Sequence, residues 1–93
     1  MGSTLVSGKG ISLYPNPTRG DDVWLSFRWM ESGTYRVKVI DMNGRMVASE
    51  SMIHGGYNVD HRLPIQRRLS SGRYSVFVTD ERELTHILPL IVQ

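Results

Sequence analysis

Apolar and polar residues alternate with a period of two along most of the chain. The clearest stretch is Tyr35, Val37 and Val39, interleaved with Arg36 and Lys38, which is the pattern of a half-buried β-strand. Asp41-Met42-Asn43-Gly44 follows with turn chemistry and opens a hairpin that returns through Met46 to Ser49. A two-residue turn at Asn43-Gly44 would place Val39 opposite Ala48. A three-residue loop from Met42 to Gly44 would place Val39 opposite Val47 and Asp41 opposite Arg45. The second choice keeps apolar groups on one face. It predicts a type I turn with a G1 bulge and a positive φ at Gly44. The Asp41 carboxylate is expected to accept from the loop N–H groups, and replacing Gly44 is expected to unfold the domain.

The remaining strands follow from the same pattern. Ile11 to Tyr14 alternates and stops at Pro15-Asn16-Pro17, a rigid corner. Val23 to Trp29 predicts a strand with Val23, Leu25, Phe27 and Trp29 on one face and Trp24, Ser26 and Arg28 on the other. One tryptophan is therefore expected in the core. A weakly extended stretch ends at His54-Gly55-Gly56, and Tyr57 to His61 alternates again. Pro64 to Leu69 reads as a connection with room for one helical turn. Arg73 to Thr79 predicts a strand with Tyr74, Val76 and Val78 inward and Phe77 outward. Asp80 to Glu83 is a charged hairpin loop, and Leu84 to Val92 is the last strand. About seven short strands without an amphipathic helix predict an all-β, Ig-like antiparallel β-sandwich.

The last strand breaks the alternation. His86-Ile87-Leu88-Pro89-Leu90-Ile91-Val92 is apolar on both faces, and Pro89 argues for an edge position. Two readings remain open: a terminal strand tucked between the sheets, or a docking strip for another protein by strand addition. An apolar edge would also allow a strand-paired or swapped dimer of the isolated domain.

Composition adds limits. A chain of 93 residues predicts one domain, with stability on the order of 5–10 kcal/mol. Residues 1–8 read as a Gly/Ser-rich linker or cloning remnant, and 9–93 as the folded domain. Cysteine is absent, which excludes disulfides and thiolate metal sites. A net charge of +2 is far from a nucleic-acid-binding stripe. The arginines at 62, 67, 68 and 73 read as a solvated loop face, or in a sharper reading as a contact for an anion or acidic partner. No serine sits in a nucleophile elbow, and His54, His61 and His86 lack metal-ligand spacing, so they read as ordinary strand or surface residues. No catalytic, cofactor or metal residue is predicted, and no cofactor. The outward tryptophan is compatible with a sugar-stacking platform.

Three segments carry a resemblance. Leu13-Tyr14-Pro15-Asn16-Pro17, Ile40-Asp41-Met42-Asn43-Gly44-Arg45 and Leu69-Ser70-Ser71-Gly72-Arg73-Tyr74-Ser75-Val76-Phe77-Val78 follow in that order. Together they resemble the C-terminal sorting domain of proteins exported by the bacterial type IX secretion system. The resemblance covers residues 11–93. It implies a non-enzymatic signal at the end of a larger cargo, which crosses the periplasm and then the outer membrane to the cell surface or beyond. It implies as partners the type IX machinery, a sortase-like surface peptidase that removes the domain, and the N-terminal cargo of the same chain. The part carrying the export signal matches Gly72 to Gln93, so Gly72, Tyr74, Ile87, Leu88, Leu90, Ile91 and Val92 are the candidate contact residues. Pro15, Asn16, Pro17, Asp41, Gly44 and Arg45 are the candidate structural motif. The competing readings are a carbohydrate-binding module or a structural Ig-like spacer of a secreted enzyme.

Overall fold

A computed structural model describes residues 10–93. The expected linker at residues 1–8 and its boundary with the domain lie outside the described residues. Seven strands form: β1 (Gly10–Tyr14), β2 (Trp24–Met30), β3 (Gly33–Asp41), β4 (Met46–His54), β5 (Tyr57–Arg62), β6 (Gly72–Thr79) and β7 (Thr85–Val92). They make two antiparallel sheets, ordered β1-β2-β5 and β4-β3-β6-β7. This three-plus-four arrangement is an Ig-like sandwich.

The alternation read from sequence fills the space between the sheets. Val23, Leu25 and Phe27 come from one sheet, and Val37, Val39, Val76, Val78 and Leu90 from the other, all fully buried. Leu63 closes the core after β5, where its N–H donates to the Val23 carbonyl at 2.7 Å. Two tyrosines tie strand starts to the chain four residues upstream. Tyr35 Oη donates to the Glu31 carbonyl and Tyr74 Oη to the Ser70 carbonyl, each at 2.7 Å. Such tyrosine-to-backbone bonds are a recurrent Ig-like device.

The β3–β4 loop forms as expected. Gly44 has φ +84°, its N–H donates to the Asp41 carbonyl, and Asp41 pairs with Arg45. The Asp41 carboxylate accepts from the N–H groups of Asn43 and Arg45, both at 2.9 Å. The β6–β7 loop repeats this geometry, with Asp80 accepting from Arg82 and Leu84 and with Glu83, φ +68°, in the place of Gly44. A Cβ on Gly44 would meet nothing within 4 Å. Its replacement therefore costs backbone strain alone, about 1–2 kcal/mol, which is too little to unfold the domain as the sequence suggested.

Register departs from expectation beyond that loop. Ile40 pairs with Met46, but Val39 pairs with Ala48, not Val47. Val47 is the extra residue of a β-bulge, and it inverts the facing of the rest of β4. Ala48, Met52 and His54 turn toward the core in place of Ser49, Ser51 and Ile53. A second bulge lies between Phe27 and Met30 on β2. It sends Trp29 outward, half-exposed, and gives Met30 the inward position. Trp24 lies outward as well, beneath the Arg62 guanidinium at 5.6 Å. Neither tryptophan is in the core, contrary to the sequence reading. Pro64 to Leu69 forms no helical turn, because the Leu69 N–H donates across to Gly20 instead of along its own segment.

The β4 bulge has an energetic consequence. His54 is buried against Phe27 and Tyr35, and its Nδ1 lies 2.9 Å from His61 Nε2. Burial, then the neighbouring His54, hold the His61 pKa below the ordinary histidine value, while Asp60 pulls weakly upward. The folded state then binds fewer protons than the unfolded chain just below pH ~6.5. The His61 contribution is present above that pH and lost as pH falls through it. The urea midpoint is expected to drop between about pH 7 and pH 5.5, and His61→Gln should flatten the slope in that window. An equal slope in the variant would show that His61 does not govern acid sensitivity.

Candidate functional site

The three segments quoted for the resemblance are far apart in sequence, and the sandwich gathers them at one end. Asp41 pairs with Tyr74 across β3 and β6, and Tyr74 pairs with Leu90 across β6 and β7. Gly72 opens β6 opposite Val92. Thr18, just after Pro15-Asn16-Pro17, bridges Val92 in parallel. Arg45 is exposed, 3.6 Å from Asp41, and shares a cleft with Arg67 and Tyr74.

β7 is an edge strand, and the corner closes much of its edge. The β6–β7 register, fixed by the Asp80–Leu84 bond, puts the even residues of β7 in the ladder with β6. Odd residues therefore aim their N–H and C=O groups outward. Pro89 has no N–H to offer, and its carbonyl accepts from Asn16 Nδ2 at 2.8 Å. The Ile91 N–H donates to Asn16 Oδ1 at 3.0 Å. One side-chain amide thus serves consecutive outward groups as a neighbouring strand would. The Thr18 N–H then donates to the Ile91 carbonyl, and the Gln93 N–H to the Thr18 carbonyl. Gly20 lets the chain pass this close: its missing Cβ would lie 2.4 Å from the Leu69 carbonyl oxygen.

From the Pro89 carbonyl to the Gln93 N–H, each outward backbone group is taken up by Asn16 or Thr18. Only Thr85 and Ile87 keep free edge groups among the described residues. Strand addition to β7, by a partner or a second copy, has a single short foothold. The docking strip read from sequence is thus not a backbone edge, and Pro89 with Asn16 is the physical reason.

The side chains of β7 divide cleanly. Leu90 and Val92 are buried and Leu88 partly so, all packed into the core. Ile87, Pro89 and Ile91 face outward, with Ile87 61% and Ile91 41% exposed. Phe77 pairs with Ile87 and lies on the same outer face, partly buried. Sequence alternation had placed Phe77 outward without linking it to this strip. The cross-strand register supplies that link. Arg73 beside Ile91 and Lys38 beside Phe77 put positive charge at the rim.

The arginines at 62, 67, 68 and 73 do not form one patch. Arg62 pairs with Asp22, and Arg68 donates to the Arg19 carbonyl near Asp21. No group of three or more metal-ligating side chains converges among the described residues.

Removing the Asn16 amide should be measurable. Asn16→Ala loses two hydrogen bonds at an exposed edge and is expected to cost about 1–2 kcal/mol. Asn16→Asp, which keeps only an acceptor, should fall between. Equilibrium urea unfolding checks the order, and an Asn16→Ala midpoint equal to the parent would refute the clamp.

The model of one family, the secretion system C-terminal sorting domain, matches residues 12–93. No match is found among curated proteins. Among solved structures, PorZ, an essential bacterial surface component of the type IX secretion system of Porphyromonas gingivalis, is similar in fold. The TM-score is 0.65 at 24% identity, over 90% of this chain and 11% of that one. The match thus spans a small part of PorZ and bears on architecture alone. With a sandwich whose corner, hairpin and β6 start meet at one end, and a family match over nearly the whole chain, this chain belongs to the secretion system C-terminal sorting domains.

Proposed function

We propose that this domain is a non-enzymatic address on a larger cargo, read by the type IX machinery through the outer face of β7. The observation that carries this is the division of β7. Its backbone edge is closed by Asn16 and Thr18, while Ile87, Pro89 and Ile91 stand outside beside Phe77. Apolar side chains left on one face of an otherwise satisfied strand mark a contact surface. The positively charged rim at Arg73 and Lys38 favours a partner with an apolar centre and acidic border. Leu88, Leu90 and Val92 act from inside by fixing the strand's register.

The proposed route is the one that the resemblance to exported cargo proteins implies. The cargo precedes the domain, passes the periplasm and is delivered to the cell surface or outside. A sortase-like surface peptidase then removes the domain.

A fluorescent passenger with a signal peptide, fused ahead of the chain in a host that has the system, tests this. The parent fusion should reach the surface or medium. Ile87→Ser combined with Ile91→Ser should reduce export about tenfold or more, with Tm within about 3 °C of the parent. A parent fusion retained in the periplasm would refute the sorting role. Full export of the double variant would refute the β7 face as the part that is read.

A further inference from the structure

At the end of the sandwich opposite the β7 corner, two aromatic residues are held outward by unusual backbone. Trp29 has φ +57° and Tyr57 φ +61°. Bulky residues rarely adopt the left-handed region, and such outliers persist where the surroundings impose them. The β2 bulge supplies the first, and Asn58 Oδ1 secures it by accepting from the Trp29 N–H at 2.8 Å. The Gly55-Gly56 turn supplies the second. Glycine would satisfy both backbones without strain. The fold therefore requires the conformation at 29 and 57 but not the indole or the phenol.

The two rings stand edge to face, 6.3 Å apart, 51% and 73% exposed. They wall a cleft of about 460 Å³, within the ~300–1,000 Å³ range of small-molecule sites. Its other sides are polar. Gly55, exposed, and Gly56, half-buried beside Ser32, line it with backbone alone, and Glu31 and Ser32 line it as well. Glu31 meets Arg82 through one oxygen at 3.2 Å, leaving the second free among the described residues. No cation lines the cleft among the described residues.

We propose that this cleft binds a neutral carbohydrate. Sugar C–H faces stack on an aromatic ring, and their hydroxyls need close donors and acceptors. The Trp29 and Tyr57 rings offer the first. The Glu31 carboxylate, the Ser32 hydroxyl and the glycine peptides offer the second. Among the described residues no cation lines the cleft to meet an anionic glycan, and the one carboxylate in it is already paired with Arg82, which favours neutral glycans. The residues are separate from the β7 face, so this reading and the sorting reading stand or fall independently.

The test is a panel of neutral and acidic glycans presented to the 93-residue chain, with hits titrated by tryptophan fluorescence and calorimetry. The parent should bind neutral hexose glycans and not acidic ones. Trp29→Gly and Tyr57→Gly should each weaken binding about tenfold or more, with Tm within about 3 °C of the parent because relieved backbone strain offsets the added freedom of glycine in the unfolded chain. Trp24→Ala should leave binding unchanged. No neutral glycan bound at millimolar concentration would overturn the proposal. So would preference for acidic glycans, binding retained in Trp29→Gly, or a marked fall in Tm in either glycine variant, which would make the aromatic pair structural.

Discussion

An edge strand in a sandwich exposes unpaired backbone groups, and this structure depends on how one such edge is closed. β7 carries apolar side chains on both faces, so an open edge there would invite other strands. Pro89 removes one outward donor, and Asn16 takes up the carbonyl of Pro89 and the N–H of Ile91. Thr18 and Gln93 complete the seam. The closure reaches from the first corner of the domain to its last strand. It therefore ties together the two sheets and the two ends of the described chain. With the backbone occupied from the Pro89 carbonyl onward, that half of β7 presents outer side chains and not an open edge.

The same closure explains why the motif segments meet. The corner must lie against β7, β7 against β6, and β6 against β3, whose turn carries Asp41 and Gly44. The motif residues hold this end in shape, and the surface they frame is composed of other residues. Phe77 and Ile87 belong to that surface, whereas Asp41 spends its carboxylate on its own loop. Backbone bonding to that loop, first from Arg45, holds the Asp41 pKa below the usual carboxylate range, as expected for a charge that serves a turn.

Much of this was legible in the sequence because period-two alternation is a direct consequence of half-burial. Val37 and Val39, Val76 and Val78, and Leu25 and Phe27 face where their spacing put them. The Asp41–Gly44 loop was legible because a positive φ at a fixed offset selects glycine. The bulges at Val47 and Trp29 were not. An extra residue inverts the parity of everything beyond it, and only packing against the other sheet decides where it goes. Those two bulges put His54 inside and Trp29 outside. Asn16 was visible as a turn residue, but its partner lies 75 positions away, beyond any local signal. Likewise Glu83 stands where Gly44 stands in the sister loop, so residue type alone did not reveal that the two hairpins share a geometry.

The outward backbone of β7 is closed from the Pro89 carbonyl to the Gln93 N–H and open before it. Native-state amide hydrogen exchange reads this residue by residue. Slow exchange is expected at Thr18, Ile91 and Gln93, approaching that of Val76 in the core, and fast exchange at Thr85 and Ile87. Exchange at Ile91 and Gln93 as fast as at Ile87 would contradict it, since the edge would then be open along its whole length.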